Sequence, residues 1–150
     1  MSRRVLLGVA ATVAALGVAS GCGGEGGSAT SAFVQLREQG GSGQSGTATL
    51  TAQGDKTTVA IELSGPAAGR QPSHIHQGTC ANPNPRPAFP LSRVEGGRAE
   101  TTVDVSLDEL QGDKDYYVNV HKSDAEIETV VACGNLLESG GGQGGYGGGY

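Results

Sequence analysis

The chain has 150 residues, of which 27 are glycine, and only 4% are aromatic, with no tryptophan. This length suits a single domain, and the sparse aromatic content indicates a small apolar core. The formal net charge of −5 and the lack of a basic cluster argue against nucleic acid as a partner. The same acidity gives no electrostatic attraction toward an anionic substrate or anionic lipid.

Residues 1–22 have the pattern of an export signal. Two arginines form a basic start, and residues 5–18 are apolar but too short for a comfortable membrane span. The ending Ala19-Ser20-Gly21-Cys22 resembles the lipobox of bacterial lipoproteins, although Ala19 stands where leucine is usual. We therefore expect an exported protein, lipid-anchored through Cys22 at the outer face of a bacterial cell membrane. The alternative is an ordinary secretory signal with an incidental cysteine.

Glycine-rich residues 23–30 predict a flexible tether, and residues 31–137 predict one folded β domain. Apolar and polar side chains alternate most clearly in a predicted hairpin, which places Val59, Ile61 and Leu63 inward. Such alternation, broken roughly every eight to twelve residues, is typical of an all-β sandwich or barrel, here of seven or eight antiparallel strands. The predicted strands are 31–36, 47–52, 57–63, a strand around His74–His76, 97–107, 115–121 and 129–136.

Two further segments are predicted to lack regular structure. Residues 80–90 hold four of the six prolines, and proline removes the backbone donor that a central strand needs. Residues 138–150 are so rich in glycine that disorder is expected. Tyr146 and Tyr150 in this tail could contact a partner in the cell envelope, against the plainer interpretation of a solvated tail.

The three histidines of the chain predict a metal site. His74 and His76 are separated by one residue, so in a strand both lie on one face with Ile75 on the other. His121 ends a second strand, whose Tyr117, Asn119 and His121 share a face. Neutral imidazole is the commonest protein ligand for copper and zinc, and copper ranks above zinc for nitrogen ligands. The sequence therefore predicts one copper ion held by His74, His76 and His121, with zinc in a three-histidine site as the alternative.

The two remaining cysteines predict a disulfide. If Cys22 carries lipid, Cys80 and Cys133 are left as a pair in an oxidising compartment. The bridge would close a loop of about 54 residues, for which the chain-entropy model gives about 4 kcal/mol of stabilisation. The competing use of Cys80 is as a soft copper ligand beside His76.

Three segments together resemble the copper/zinc superoxide dismutase family. His74-Ile75-His76 is similar to the His-Val-His copper ligands of that family. Val118-Asn119-Val120-His121 is similar to its later Val-Val-His copper ligand. Val131-Ala132-Cys133-Gly134-Asn135-Leu136 is similar to its Ala-Cys-Gly segment, which carries one half of the intrasubunit disulfide. The resemblance implies an eight-stranded Greek-key β-sandwich and a Cys80–Cys133 bridge. Tyr117-Val118-Asn119-Val120-His121 also resembles the CHRD repeat, a related β module.

The departures from the dismutase family decide the functional expectation. No fourth histidine exists for the bridging and zinc positions, the segment from His121 to Cys133 spans only 12 positions, and Val130 stands where the family has a substrate-guiding arginine. Because fast dismutation needs these features and a positive funnel, we expect a copper-binding lipoprotein with little or no dismutase activity. The alternatives are an active copper-only superoxide dismutase and a metal-free structural or adhesion module of the CHRD type.

Overall fold

The structure is a computed structural model that describes residues 30–66 and 69–137. The predictions for the export signal, Cys22 and the glycine/tyrosine tail lie outside the described residues. Within those two ranges, no helix is both long enough and apolar enough to cross a membrane.

The described chain forms eight strands and one short helix. The helix is a single turn that begins after Ser106, whose side chain accepts a hydrogen bond from the Glu109 backbone N–H. The elements are β1 Ser31–Glu38, β2 Ser45–Gln53, β3 Lys56–Ser64, β4 Gln71–Gly78, β5 Pro83–Val94, β6 Arg98–Val103, α1 Leu107–Leu110, β7 Tyr116–His121 and β8 Val130–Asn135.

The strands are antiparallel and follow the spatial order β5-β4-β7-β8-β1-β2-β3-β6. Strands β1, β2, β3 and β6 form one sheet, which we call the first sheet. Strands β5, β4, β7 and β8 form the second sheet, and the last two residues of β1 join the two sheets by pairing with β8. The neighbours β3 and β6, and β4 and β7, are not consecutive in the chain, as expected for a Greek key. The prediction of an all-β sandwich of antiparallel strands is confirmed.

Alternation along the strands places the apolar core between the sheets. In β3, Val59 and Ile61 are each 1% exposed while Thr58 and Glu62 lie on the outer side, as the sequence predicts. The two-residue connection of β2 to β3 contains Gly54 at φ +69°, a backbone conformation that favours glycine. Ile75, Val118 and Ala132, from β4, β7 and β8, complete the core from the second sheet.

The prediction that residues 80–90 are irregular is wrong for the greater part of that segment. Residues Pro83–Val94 form β5, which pairs with β4 through a register that shifts three times. An end strand of a sheet is compatible with proline because its outward side needs no ladder donors. Phe89 also favours the strand, because it pairs with Ile75 and packs against the core.

The predicted disulfide is confirmed, since Cys80 and Cys133 are bonded with their Cα atoms 6.0 Å apart. Cys80 is therefore not a thiolate that could bind copper. The bridge ties the segment after β4 to β8, and the Cys80 backbone N–H also donates to Asn135 Oδ1 at 2.8 Å. The two contacts hold the beginning of the proline-rich segment against the second sheet.

Candidate metal centre

The three histidines lie on the outer face of the second sheet, opposite the core. In the pairing of β4 with β7, His74 is opposite Asn119 and His76 is opposite Tyr117, while Ile75 is opposite Val118 on the core side. His121 is the last residue of β7, where the pairing with β8 shifts by one residue. Such a shift bends the local chain and changes the direction of a side chain. The shift occurs at the end of β7, where His121 lies beside His74 and His76 of β4.

The histidine rings converge, as the sequence predicts. One nitrogen from each ring lies within 4.8 Å of the other two, and His121 Nε2 is 3.1 Å from His74 Nδ1. The ring centroids are 5.1 Å apart for His74 and His121, 5.5 Å for His74 and His76, and 6.4 Å for His76 and His121. Two nitrogens bound to one ion at about 2.0–2.1 Å can be at most about 4.2 Å apart, so small side-chain rotations bring all three within bonding reach.

A backbone carbonyl on β5 fixes the orientation of the His76 ring. His76 Nδ1 is 2.8 Å from the carbonyl oxygen of Asn84, so Nδ1–H is the donor and Nε2 carries the free lone pair. That Nε2 is buried and has no hydrogen-bond partner within the described part of the chain. Metal-ligating histidines usually donate their other N–H in this way, which fixes the tautomer and the ring direction. His76 therefore has the hydrogen bonding of a ligand.

Tyr117 supports the same ring from β7. Its phenol stacks on the His76 ring at a centroid distance of 5.0 Å and an interplanar angle of 16°, and its O–H donates to the Asn84 carbonyl at 3.1 Å. Burial raises the pKa of Tyr117, against a smaller lowering by the hydrogen bond with Asn84. The phenol therefore stays protonated as a donor at neutral pH, and one carbonyl positions both rings.

A buried glutamine pair supports the end of β7. Gln71 Nε2 donates to the backbone carbonyl of His121 at 3.3 Å and to Gln44 Oε1 at 2.9 Å. Gln44 in turn donates to the Pro66 carbonyl, and both glutamines are buried. Buried polar groups connected in this way restrict the local backbone. The network thus holds the strand end that carries His121.

Burial favours the neutral form of His74 and His121. Burial first, then repulsion from His121, His76 and Arg93, lowers the pKa of His74 to about 4. Burial first, then His76, lowers the pKa of His121, against a smaller rise from the Ile127 backbone. A histidine must be neutral to bind a metal ion. His74 and His121 are therefore neutral at neutral pH, which is the form in which an imidazole binds a metal ion.

The cluster lies in an open depression of about 500 Å³ with mainly apolar walls. On the β5 side, the wall consists of Pro83, Pro85 and Pro87, which alternate along the strand. The segment between β7 and β8 contributes Ile127 and Glu128, and the first residue of β8 contributes Val130. The depression therefore leaves the cluster open to small solutes.

Arg93 is close enough to the cluster for its charge to contribute to the lowered pKa of His74. Its guanidinium is occupied by the Asp124 carboxylate, with contacts of 2.6 and 3.1 Å. This pairing balances its charge. Arg98 pairs with Glu62 on the first sheet at 3.5 Å, and Arg86 is exposed on β5.

Sequence reasoning missed three contributors to the centre: Asn84, Gln71 and Asn119. The first acts through its backbone carbonyl, for which a sequence carries no signal, and the second through a partner 50 positions away. The sequence did carry a signal for Asn119. It is an amide between apolar neighbours in a strand, on the face of His121, and such a residue is unusual in a core strand. Its placement on that face is confirmed, and its side chain lines the depression.

No protein-family model matches the chain, and no curated protein matches it.

Proposed function

We propose that this protein is an exported, lipid-anchored domain that binds one copper ion through His74, His76 and His121, with little or no superoxide dismutase activity. One observation carries the proposal. A lone-pair nitrogen of His76 is buried and has no hydrogen-bond partner among residues 30–66 and 69–137, on the same sheet face as two other imidazoles whose nitrogens approach it within 4.8 Å. An unpartnered buried acceptor costs about 1–3 kcal/mol, and a bound cation removes that cost.

Copper is proposed over zinc because three imidazole nitrogens with an open position suit Cu(II), which also ranks highest for nitrogen ligands among the divalent first-row metals. Bound copper would supply one-electron redox chemistry, or the protein would store and transfer the copper ion. Zinc in a three-histidine site would carry a water that needs a general base for hydrolysis. Glu128, the one carboxylate lining the depression among the described residues, is not within the cluster of converging ligands, which disfavours a hydrolase.

Weak or absent dismutation is proposed from the charges around the cluster. Arg93 is paired with the Asp124 carboxylate, and the chain is acidic, so an anion is not drawn toward the depression. Val130, which stands where the dismutase family has its guiding arginine, lines the depression with an apolar side chain. These features favour metal binding over rapid turnover of superoxide.

Export and lipid anchoring are proposed from the N-terminal pattern that ends at Cys22. The Cys80–Cys133 disulfide supports export, because disulfides persist in oxidising compartments and are rare in the cytosol. Mass spectrometry of the protein isolated from its own membranes tests the anchor. A chain that begins at Cys22 and carries the mass of a lipid is the expected result, and an unmodified Cys22 would contradict the anchor alone.

The copper site is tested by adding one equivalent of Cu(II) to the metal-free protein and recording its electron paramagnetic resonance spectrum. We expect a single nitrogen-rich signal, which His76→Ala should remove or simplify because one of three nitrogens is lost. Gln77→Ala is the matched control, since it changes the next side chain of β4, which is exposed. A wild-type protein without such a signal, or a His76→Ala variant with the same signal, would support the metal-free module instead.

Pulse radiolysis of the copper-loaded protein tests the absence of rapid dismutation. We expect a rate no greater than that of a copper–peptide complex with three imidazoles. A much faster rate that His74→Ala abolishes would establish an active copper-only dismutase.

A further inference from the structure

Asn119 lies at the centre of the histidine face. It is directly opposite His74 on β4 and Cys133 on β8, and it precedes His121 by two residues on the same side of β7. Its side chain lines the depression that contains the histidine cluster, yet the residue is only 3% exposed. The amide is therefore enclosed among the groups that would surround an ion.

The side-chain oxygen of Asn119 has no hydrogen-bond partner among the described residues, and Oδ1 itself is buried. An asparagine at such a position destabilises the fold, because burying a hydrogen-bond acceptor away from water without a donor costs free energy. A leucine of similar shape would fill the same space without that loss. The presence of the amide is explained if a bound group that is not part of the polypeptide interacts with its oxygen.

The side chain of Asn119 is long enough for its oxygen to reach an ion held by the histidines. His74 Nδ1 and Asn119 Oδ1 are each two bonds beyond their Cβ atoms. Residues that are directly opposite in an antiparallel pair have Cβ atoms about 4.5–5.5 Å apart. Asn119 Oδ1 can therefore stand at the same height above the sheet as His74 Nδ1, the atom that lies 3.1 Å from His121 Nε2.

We propose that Asn119 Oδ1 is a fourth protein ligand of the metal centre, bound more weakly than the three imidazole nitrogens. This inference rests on the proposed copper site and deepens it. In blue-copper sites, copper held by two histidines and a cysteine takes a weak, long contact to a thioether or an oxygen, and this contact tunes its reduction potential. In this chain the strong ligands are the imidazoles, and Asn119 is the described amide that the sheet register places among them.

The test compares Asn119→Leu, which loses the oxygen, with Asn119→Asp, which keeps an oxygen and adds charge. For Asn119→Leu we expect a melting temperature of the metal-free protein that is equal to or above that of wild type. Its Cu(II) affinity should fall about tenfold or more, on the scale of losses at groups that support a metal site. The paramagnetic resonance spectrum should change its g values while retaining three nitrogens, and Asn119→Asp should bind Cu(II) at least as tightly as wild type.

The outcomes separate this inference from the copper site itself. Wild-type affinity and an unchanged spectrum in Asn119→Leu would overturn the fourth ligand and leave the three-histidine site intact. A large fall in the melting temperature of metal-free Asn119→Leu, with unchanged affinity, would assign the amide a structural role and overturn the inference too. If Asn119→Leu does not fold, weaker Cu(II) binding by Asn119→Asp than by wild type overturns it. Failure of the wild-type protein to bind Cu(II) would overturn the copper site and the fourth ligand together.

Discussion

The outward faces of the two sheets differ in a way that separates stability from function. On the first sheet, the outward threonines of β2 and β3 remain partly exposed, and Thr58 and Thr102 contact each other at 3.1 Å. On the second sheet, the outward residues of β7 are Tyr117, Asn119 and His121, all of them buried. An ordinary sandwich keeps its outward polar side chains in water. The second sheet instead buries them at a cost, on the face where three histidines lie close enough together to bind a metal ion.

The largest effect is expected from the disulfide, which belongs to the second sheet alone. Replacing both cysteines, as Cys80→Ser with Cys133→Ser, should lower the free energy of unfolding by about 4 kcal/mol less any strain, because a loop of about 54 residues is no longer closed in the unfolded chain. Thermal unfolding of the metal-free protein with and without reducing agent measures the same difference. Equal melting under both conditions would mean that the bridge does not form in solution.

Substitutions at adjacent residues of β4 should separate the effects of the core face from those of the histidine face. Ile75 is fully buried on the core side, so Ile75→Ala should lower the free energy of unfolding by about 3 kcal/mol and leave the Cu(II) affinity of the folded fraction unchanged. His74→Ala should do the reverse, with weaker Cu(II) binding and a smaller loss of stability. Urea unfolding and Cu(II) titration measure both quantities.

The matched control for this pair is Thr49→Ala, on the outward face of the first sheet, with an expected change within about ±0.5 kcal/mol. A loss of stability in His74→Ala as large as that in Ile75→Ala would mean that the histidine face is part of the structural core.

The pH dependence of the metal-free protein should show a smaller effect. The folded-state pKa of His74 is lowered from 6.5 to about 4, so the folded protein binds fewer protons than the unfolded chain between these values. The histidine contribution to stability is then fully present above pH 6.5 and is lost as the pH falls toward about 4. Urea unfolding across this window, compared with His74→Asn, isolates the effect from that of the carboxylates. Parallel stability curves for the two proteins would contradict the lowered pKa.

The parts of the fold that the sequence predicts well are those in which local pattern and long-range packing agree. The hairpin of β2 and β3 alternates cleanly around a glycine turn, and His74 with His76 needs only the two-residue period of a strand to share a face. Strand β5 was missed because its prolines obscure the local signal, and its pairing with β4 depends on a sheet end that only the assembled fold provides. The Asn84 carbonyl was missed for a related reason, since every residue has one and tertiary pairing alone selects which is used.

The proline strand has a consequence for how this protein meets other chains. Pro83, Pro85, Pro87 and Pro90 have no amide hydrogen, so β5 offers few donors to an incoming strand. Edges of this composition resist the edge-to-edge association by which β proteins aggregate. Copies of this domain at high concentration therefore have little tendency to pair through β5, and the depression beside that strand stays uncovered by such pairing.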